Sequence, residues 1–136
     1  MAQVTVTAAQ VAVLFPEKAE IYDRIAAAAL TAGDLCYLDT NGKATKATAA
    51  QAGTVVDVGL VLTTRGAGSA VSVLKRGHVA GVAVSGLAYG AKVYASDTAG
   101  QIADANGTVN LKVGTVEAIP QANGPQKVLY FDVMWA

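Results

Sequence analysis

The chain has 136 residues, ten Lys plus Arg against ten Asp plus Glu, 53% hydrophobic residues and 15% charged ones. That size bounds it to one domain with a modest core, and the apolar fraction excludes intrinsic disorder. A zero net charge without a basic cluster gives no footprint for nucleic acid, while the shortage of charge, against roughly 25% in ordinary domains, lies in the surface chemistry.

Residues 1–18 contain no Gly and no charge before Glu17, and read as an N-terminal arm. Val4 and Val6 alternate with Gln3, Thr5 and Thr7, a strand period, and Thr7-Ala8-Ala9-Gln10 fits a capping box that opens a short helix through Val11, Val13 and Leu14. Pro16 stops that helix at Leu14 or Phe15. For Glu20 to Ile25 followed by Ala26 to Ala29, local propensity favours a helix, yet Ile21, Tyr22 and Ile25 fit a strand, and the Val-rich, Gly-punctuated chain downstream favours the strand.

From Leu30 onward the chain repeats. Leu30-x-x-Gly33-x-x-Cys36-Tyr37 matches Leu87-x-x-Gly90-x-x-Val93-Tyr94 at an offset of 57 residues. Gly53-Thr54-Val55 matches Gly107-Thr108-Val109 at 54, and Val58-Gly59 and Val73-Leu74 match Val113-Gly114 and Val128-Leu129 at 55. Asn41-Gly42 predicts a two-residue hairpin turn in the first unit, and Ser96 to Gly100 a longer one in the second. Val109, Leu111 and Val113 alternate with polar residues, and the phase then changes, which places a bulge or bend at Gly114. The last run, Val128 to Trp135, is apolar except for Asp132 and reads as a strand covered on both faces. The predicted fold is mainly β, a small β-barrel or sandwich of two tandem units (30–84 and 87–136) within a domain over 19–136.

Chemistry is sparse. A single Cys36 excludes a disulfide scaffold and a multi-cysteine zinc site, and in Leu35-Cys36-Tyr37-Leu38 it reads as a small buried hydrophobe. His78 follows Lys75-Arg76-Gly77 at a predicted strand-to-strand turn, where it reads as an exposed polar tip, and no second histidine exists to form a metal pair. Asp39-x-Asn41-Gly42 resembles the start of a calcium loop but lacks its later oxygen ligands, so a hairpin turn accounts for it. Gly66-x-Gly68 and Gly86-x-x-x-Gly90 are turn glycines, since no Lys-Ser/Thr follows either. Lys75 and Arg76 are the densest basic spot, read as solvated turn charges or as a salt-bridge site for a partner. No metal, cofactor or catalytic group is expected. No positive n-region precedes Lys18 and no apolar stretch approaches the ~20 residues of a membrane span, so a soluble chain is expected.

The runs Ala19-Glu20-Ile21-Tyr22 and Ala29 to Asp39, then Asn41-Gly42-Lys43, Val71 to Val79 and Leu87-x-x-Gly90-x-x-Val93-Tyr94, resemble tailed-bacteriophage capsid cement, or head decoration, proteins over about 19–136. The resemblance implies a small β-barrel-like protein without enzymatic activity or cofactor. It implies a chain made in the host cytoplasm that binds the major capsid protein on the virion exterior, commonly as trimers, and stabilises the shell. No short binding motif carries over, so the contact residues are read from physics: Val4, Val6, Val11, Val13, Leu14 and Phe15 of the arm, an apolar segment that gains by lying on a neighbour, together with Lys75 and Arg76. Neither nucleic acid nor membrane is an expected partner. Two other readings stand beside this one: a small β-barrel ligand-binding or enzyme-accessory domain, with a pocket lined by Tyr37, Tyr94 and His78, and a head-fibre or tail component.

Overall fold

A computed structural model describes residues 3–121 and 124–135. Ten strands follow in chain order: β1 (Ala12–Val13), β2 (Glu20–Ile25), β3 (Leu35–Leu38), β4 (Ala44–Lys46), β5 (Gly59–Val61), β6 (Ala70–Ala80), β7 (Lys92–Ala95), β8 (Ile102–Ala103), β9 (Leu111–Gln121) and β10 (Gly124–Trp135). The fold is mainly β, an antiparallel sheet curled into a half-barrel. Its strands run β4-β3-β5-β6-β10-β9-β7-β8, with β1 and β2 both added to β6. The order from edge to centre is therefore the same in the two halves, which meet where β6 pairs with β10.

Matching residues occupy matching registers. Cys36 lies opposite Gly59 in the first half, and Val93 opposite Gly114 in the second. Both glycines are sites of close approach: a Cβ on Gly59 would collide with the Val73 side chain, and one on Gly114 would lie 2.8 Å from both Leu129 Cδ1 and the Tyr130 carbonyl oxygen. The phase change read from the sequence is a register shift here. Val93 faces Gly114 but Tyr94 faces Lys112, so Val113 is the extra residue, and Val113 and Val116 both reach the core.

The core has two parts. The larger joins the halves through Leu35, Leu60 and Leu74 from the first and Val93, Leu111, Val113, Leu129 and Phe131 from the second. The smaller, containing Ala26, Leu30, Cys36, Ala44, Val61, Val71 and Val73, lies where the curled sheet brings β4 back to the residues after β2, with Ala44 bridged to Ala26. Alternation along β6 sends Leu74 to one cluster and Val71 and Val73 to the other.

The N-terminal segment is not a free arm. Val4 is 4% exposed and belongs to the larger core, its N–H donating to the Ile102 carbonyl at 2.9 Å. Val6 bridges Val82, Ala12 and Val13 pair with Ala80 and Val79, and the Leu14 N–H donates to the His78 carbonyl. The predicted helix shrinks to a 3₁₀ turn at Ala8–Gln10 without a side-chain cap from Thr7, and Pro16 opens a second such turn (Pro16–Lys18) instead of ending a helix. Main-chain groups of Val13 and Leu14 find partners on β6, which the local pattern could not anticipate.

Glu20–Ile25 is a strand as expected. The Asn41-Gly42 turn is a three-residue loop, with Asp39 N–H donating to the Lys43 carbonyl and Gly42 alone at positive φ (76°), so a G1-type turn replaces the two-residue form. The sequence reading of a turn at Lys75-Arg76-Gly77-His78 fails: β6 runs through it for 11 residues. Gly77 keeps the strand continuous at φ 150° while letting Ala19 pack against its backbone.

Two measurements check this architecture. Gly114→Ala lowers stability by about 2 kcal/mol, a fall in Tm of several degrees by calorimetry. Removing residues 1–18 strips β1 from β6 and Val4 from the core, and Val4→Ala alone costs about 2 kcal/mol in urea titration.

Candidate functional site

The charged groups gather where β2, β6 and β10 converge. Arg76 on β6 lies opposite Glu20 on β2 and Asp132 on β10, and its guanidinium pairs with both, at 3.7 Å to Glu20 and 3.4 Å to Asp132. These are directly opposed cross-strand pairs, exposed enough for solvent to screen them strongly. Asp132 and Glu20 raise the Arg76 pKa further, so this cation stays charged throughout.

Beside it stands Asp57, the one described non-glycine residue at positive φ (51°). Its carboxylate pairs with Lys75 of β6 and, at 2.8 Å, with Arg24 of β2, whose second nitrogen donates to the Asp57 carbonyl at 2.9 Å. The Lys75 hydrogen bond, with Arg24 beside it, holds the Asp57 carboxyl below the usual carboxylate range. The Arg24 side chain is only 9% exposed and lies against the Cys36 thiol, which burial pushes up to about 11. That thiol is inert at neutral pH, a buried small hydrophobe as expected.

The sequence-derived contact residues are therefore scattered. Val4 is core, Val6, Val11 and Val13 pack half-buried against it, and Leu14 and Phe15 are half-buried beside β6. Lys75 and Arg76 are neither turn charges nor free cations, because both are engaged within the chain. His78 is no exposed tip: it is half-buried mid-strand, its ring 5.2 Å from Phe15, edge-on, and 4.9 Å from Tyr130. The ring is thus packed between two aromatic side chains. Asp39 forms a turn: its carboxylate accepts from the N–H groups of Asn41 and Lys43 and the Thr45 hydroxyl, and the Lys43 N–H is the main cause of its lowered pKa. Among the described residues no group of three or more His, Cys, Asp or Glu is placed to hold a metal ion.

What the sequence reading missed is apolar exposure on β2. Ile21, Tyr22 and Ile25 are 41%, 53% and 43% exposed, and Val56, next to Asp57, is 49% exposed. Tyr22, Arg24, Leu38, Asp57 and Lys75 line an open crevice of about 380 Å³. The signal was present in the residues. Glu20, Tyr22 and Arg24 share one face of the strand and Ile21, Asp23 and Ile25 the other, so each face mixes charge with apolar bulk and neither buries cleanly.

Comparison of the chain with family models, with curated proteins and with solved structures finds no match. β2 pairs with β6, and its six residues carry three exposed apolar side chains interleaved with the charged Glu20, Asp23 and Arg24.

The pH dependence follows from the carboxylate. With its folded pKa lowered, Asp57 contributes stability that is present above the ordinary carboxylate range near 4 and is lost as pH falls below it. Thermal melts are expected to be level from about pH 5 to 8 and to drop on acidification below about 4, by an amount that solvent screening of a partly exposed carboxylate keeps modest.

Proposed function

We propose that this chain is a structural protein of a tailed-phage virion that binds the outer face of the assembled capsid and stabilises it. The resemblance of Ala19 to Tyr22, Ala29 to Asp39 and Val71 to Val79 to capsid cement proteins motivates the reading. The observation that carries it furthest is the β2 surface, because an exposed strand with Ile21, Tyr22 and Ile25 beside Val56 suits a protein partner by strand addition or apolar packing. The partner is the major capsid protein, and the chain acts on the shell as a homo-oligomer, for which the resemblance suggests a trimer. The contact surface moves accordingly from the N-terminal segment, whose described residues 3–18 lie on the protein's own sheet, to β2 and the loop before β5.

The energetics suit a lattice. One copy contacting through a few apolar anchors gains modest affinity, and repetition over a shell multiplies it without new chemistry.

Purified protein mixed with expanded heads that lack it is expected to co-sediment with them and to raise their resistance to heat. Tyr22→Lys and Val56→Lys, both at exposed positions, reduce bound protein at least tenfold while the circular dichroism spectrum is retained. Absence of co-sedimentation together with unchanged shell stability would refute the proposal.

A further inference from the structure

β2 differs from every other long strand in how it is held. Five of its six residues are exposed, so apolar burial contributes little, and its attachments are the ladder to β6 and a few polar contacts. Both of its ends are fixed. Ala19 packs under Gly77, and Ala26 is 1% exposed in the smaller core. Between those anchors Glu20 pairs with Arg76 at 3.7 Å and Asp23 accepts from the Ser72 hydroxyl at 3.3 Å, both exposed contacts, while the least exposed side chain, Arg24, donates to the carboxylate and the carbonyl of Asp57.

Asp57 is built for that role at a local cost. A non-glycine residue in the left-handed region is held there only by its surroundings, and here they are a carboxylate and a carbonyl gripped from two strands at once. We infer that Asp57 is a latch: it locks β2 and the loop before β5 onto β6, and its release lets residues 20–25 open as a unit between Ala19 and Ala26. Opening removes the Arg24 lid from Cys36 and uncovers the edge of β6 from Ala70 to Arg76.

The groups that face the latch are Glu20, Tyr22 and Arg24 from β2, Lys75 and Arg76 from β6, and Asp132 from β10. Arg76 is occupied by Glu20 and Asp132, so Arg24 and Lys75 are the two cations whose counter-charge disappears if Asp57 is neutralised. Leaving Arg24 with no carboxylate at 9% exposure is the costly outcome, and opening β2 relieves it by hydration. The latch is closed at neutral pH and is released by acid or by substitution.

The single cysteine makes the test clean. Asp57→Asn keeps a residue that tolerates the left-handed conformation and removes the charge, while Asp57→Gly also removes the backbone strain. In both, a disulfide reagent at pH 8 is expected to label Cys36 at least tenfold faster than in the parent protein. Amide exchange is expected to rise over 20–25, while 111–119 and 128–132 stay within twofold. Lys75→Met, which leaves Asp57 and Arg24 in place, gives an intermediate rate and serves if the Asp57 variants do not fold. Labelling and exchange within twofold of the parent in the variants that fold would overturn the latch. So would a loss of protection spread evenly over all strands, which marks global weakening.

Discussion

Everything in this fold hangs on the backbone of β6. Along its first part it pairs with β2 and β5, and along its second with β10 and β1, so four strands draw their hydrogen bonds from one. A strand in that position needs length, must bury side chains on both faces, and must shift phase where its partners change. The residues meet each need. Val71, Val73 and Leu74 fill two different clusters, the pairing with β2 skips Lys75, and Gly77 lets Ala19 approach a backbone that stays extended.

Where partners change, polar groups collect. Main-chain pairing is irregular near Lys75 and Arg76, and charged side chains fill the space that regular apolar packing cannot. Opposed charges on adjacent strands make the arrangement self-consistent: Arg76 answers Glu20 and Asp132, and Asp57 answers Arg24 and Lys75. The densest basic spot in the sequence is thus spent inside the chain. Beside that network, on the strand it fastens, Ile21, Tyr22 and Ile25 stay exposed.

That division bears on the composition. The high apolar fraction is mostly Ala and Val, and much of it is consumed by two clusters and by an N-terminal segment that lies on the sheet. Tyr22 and its neighbours are the portion left over. Under the proposed function they form the contact with the shell, and the double unit behind them is the platform that carries the strand.

The amino-acid sequence by itself determined the β class, the burial of Cys36 and the phase change at Gly114, because each depends on local period or on a short-range Gly signal, whereas the strand at Glu20–Ile25 was favoured only by the β character of the chain downstream, against local helix propensity. It also carried the likeness of the two halves, since Cys36 and Gly59 reappear as Val93 and Gly114 at the same register. Tertiary structure decided the rest. Whether residues 3–18 stand free or lie on the sheet depends on hydrogen-bond partners more than 60 residues away, such as the His78 carbonyl for Leu14, and no local pattern encodes them. Whether Lys75, Arg76 and His78 sit in a turn or a strand was likewise settled by the strands that flank them, since Gly77 permits either. The candidate site followed the same rule: mixed faces on β2 were written in its six residues, but their exposure, and the grip of Asp57 on Arg24, exist only because distant segments converge there.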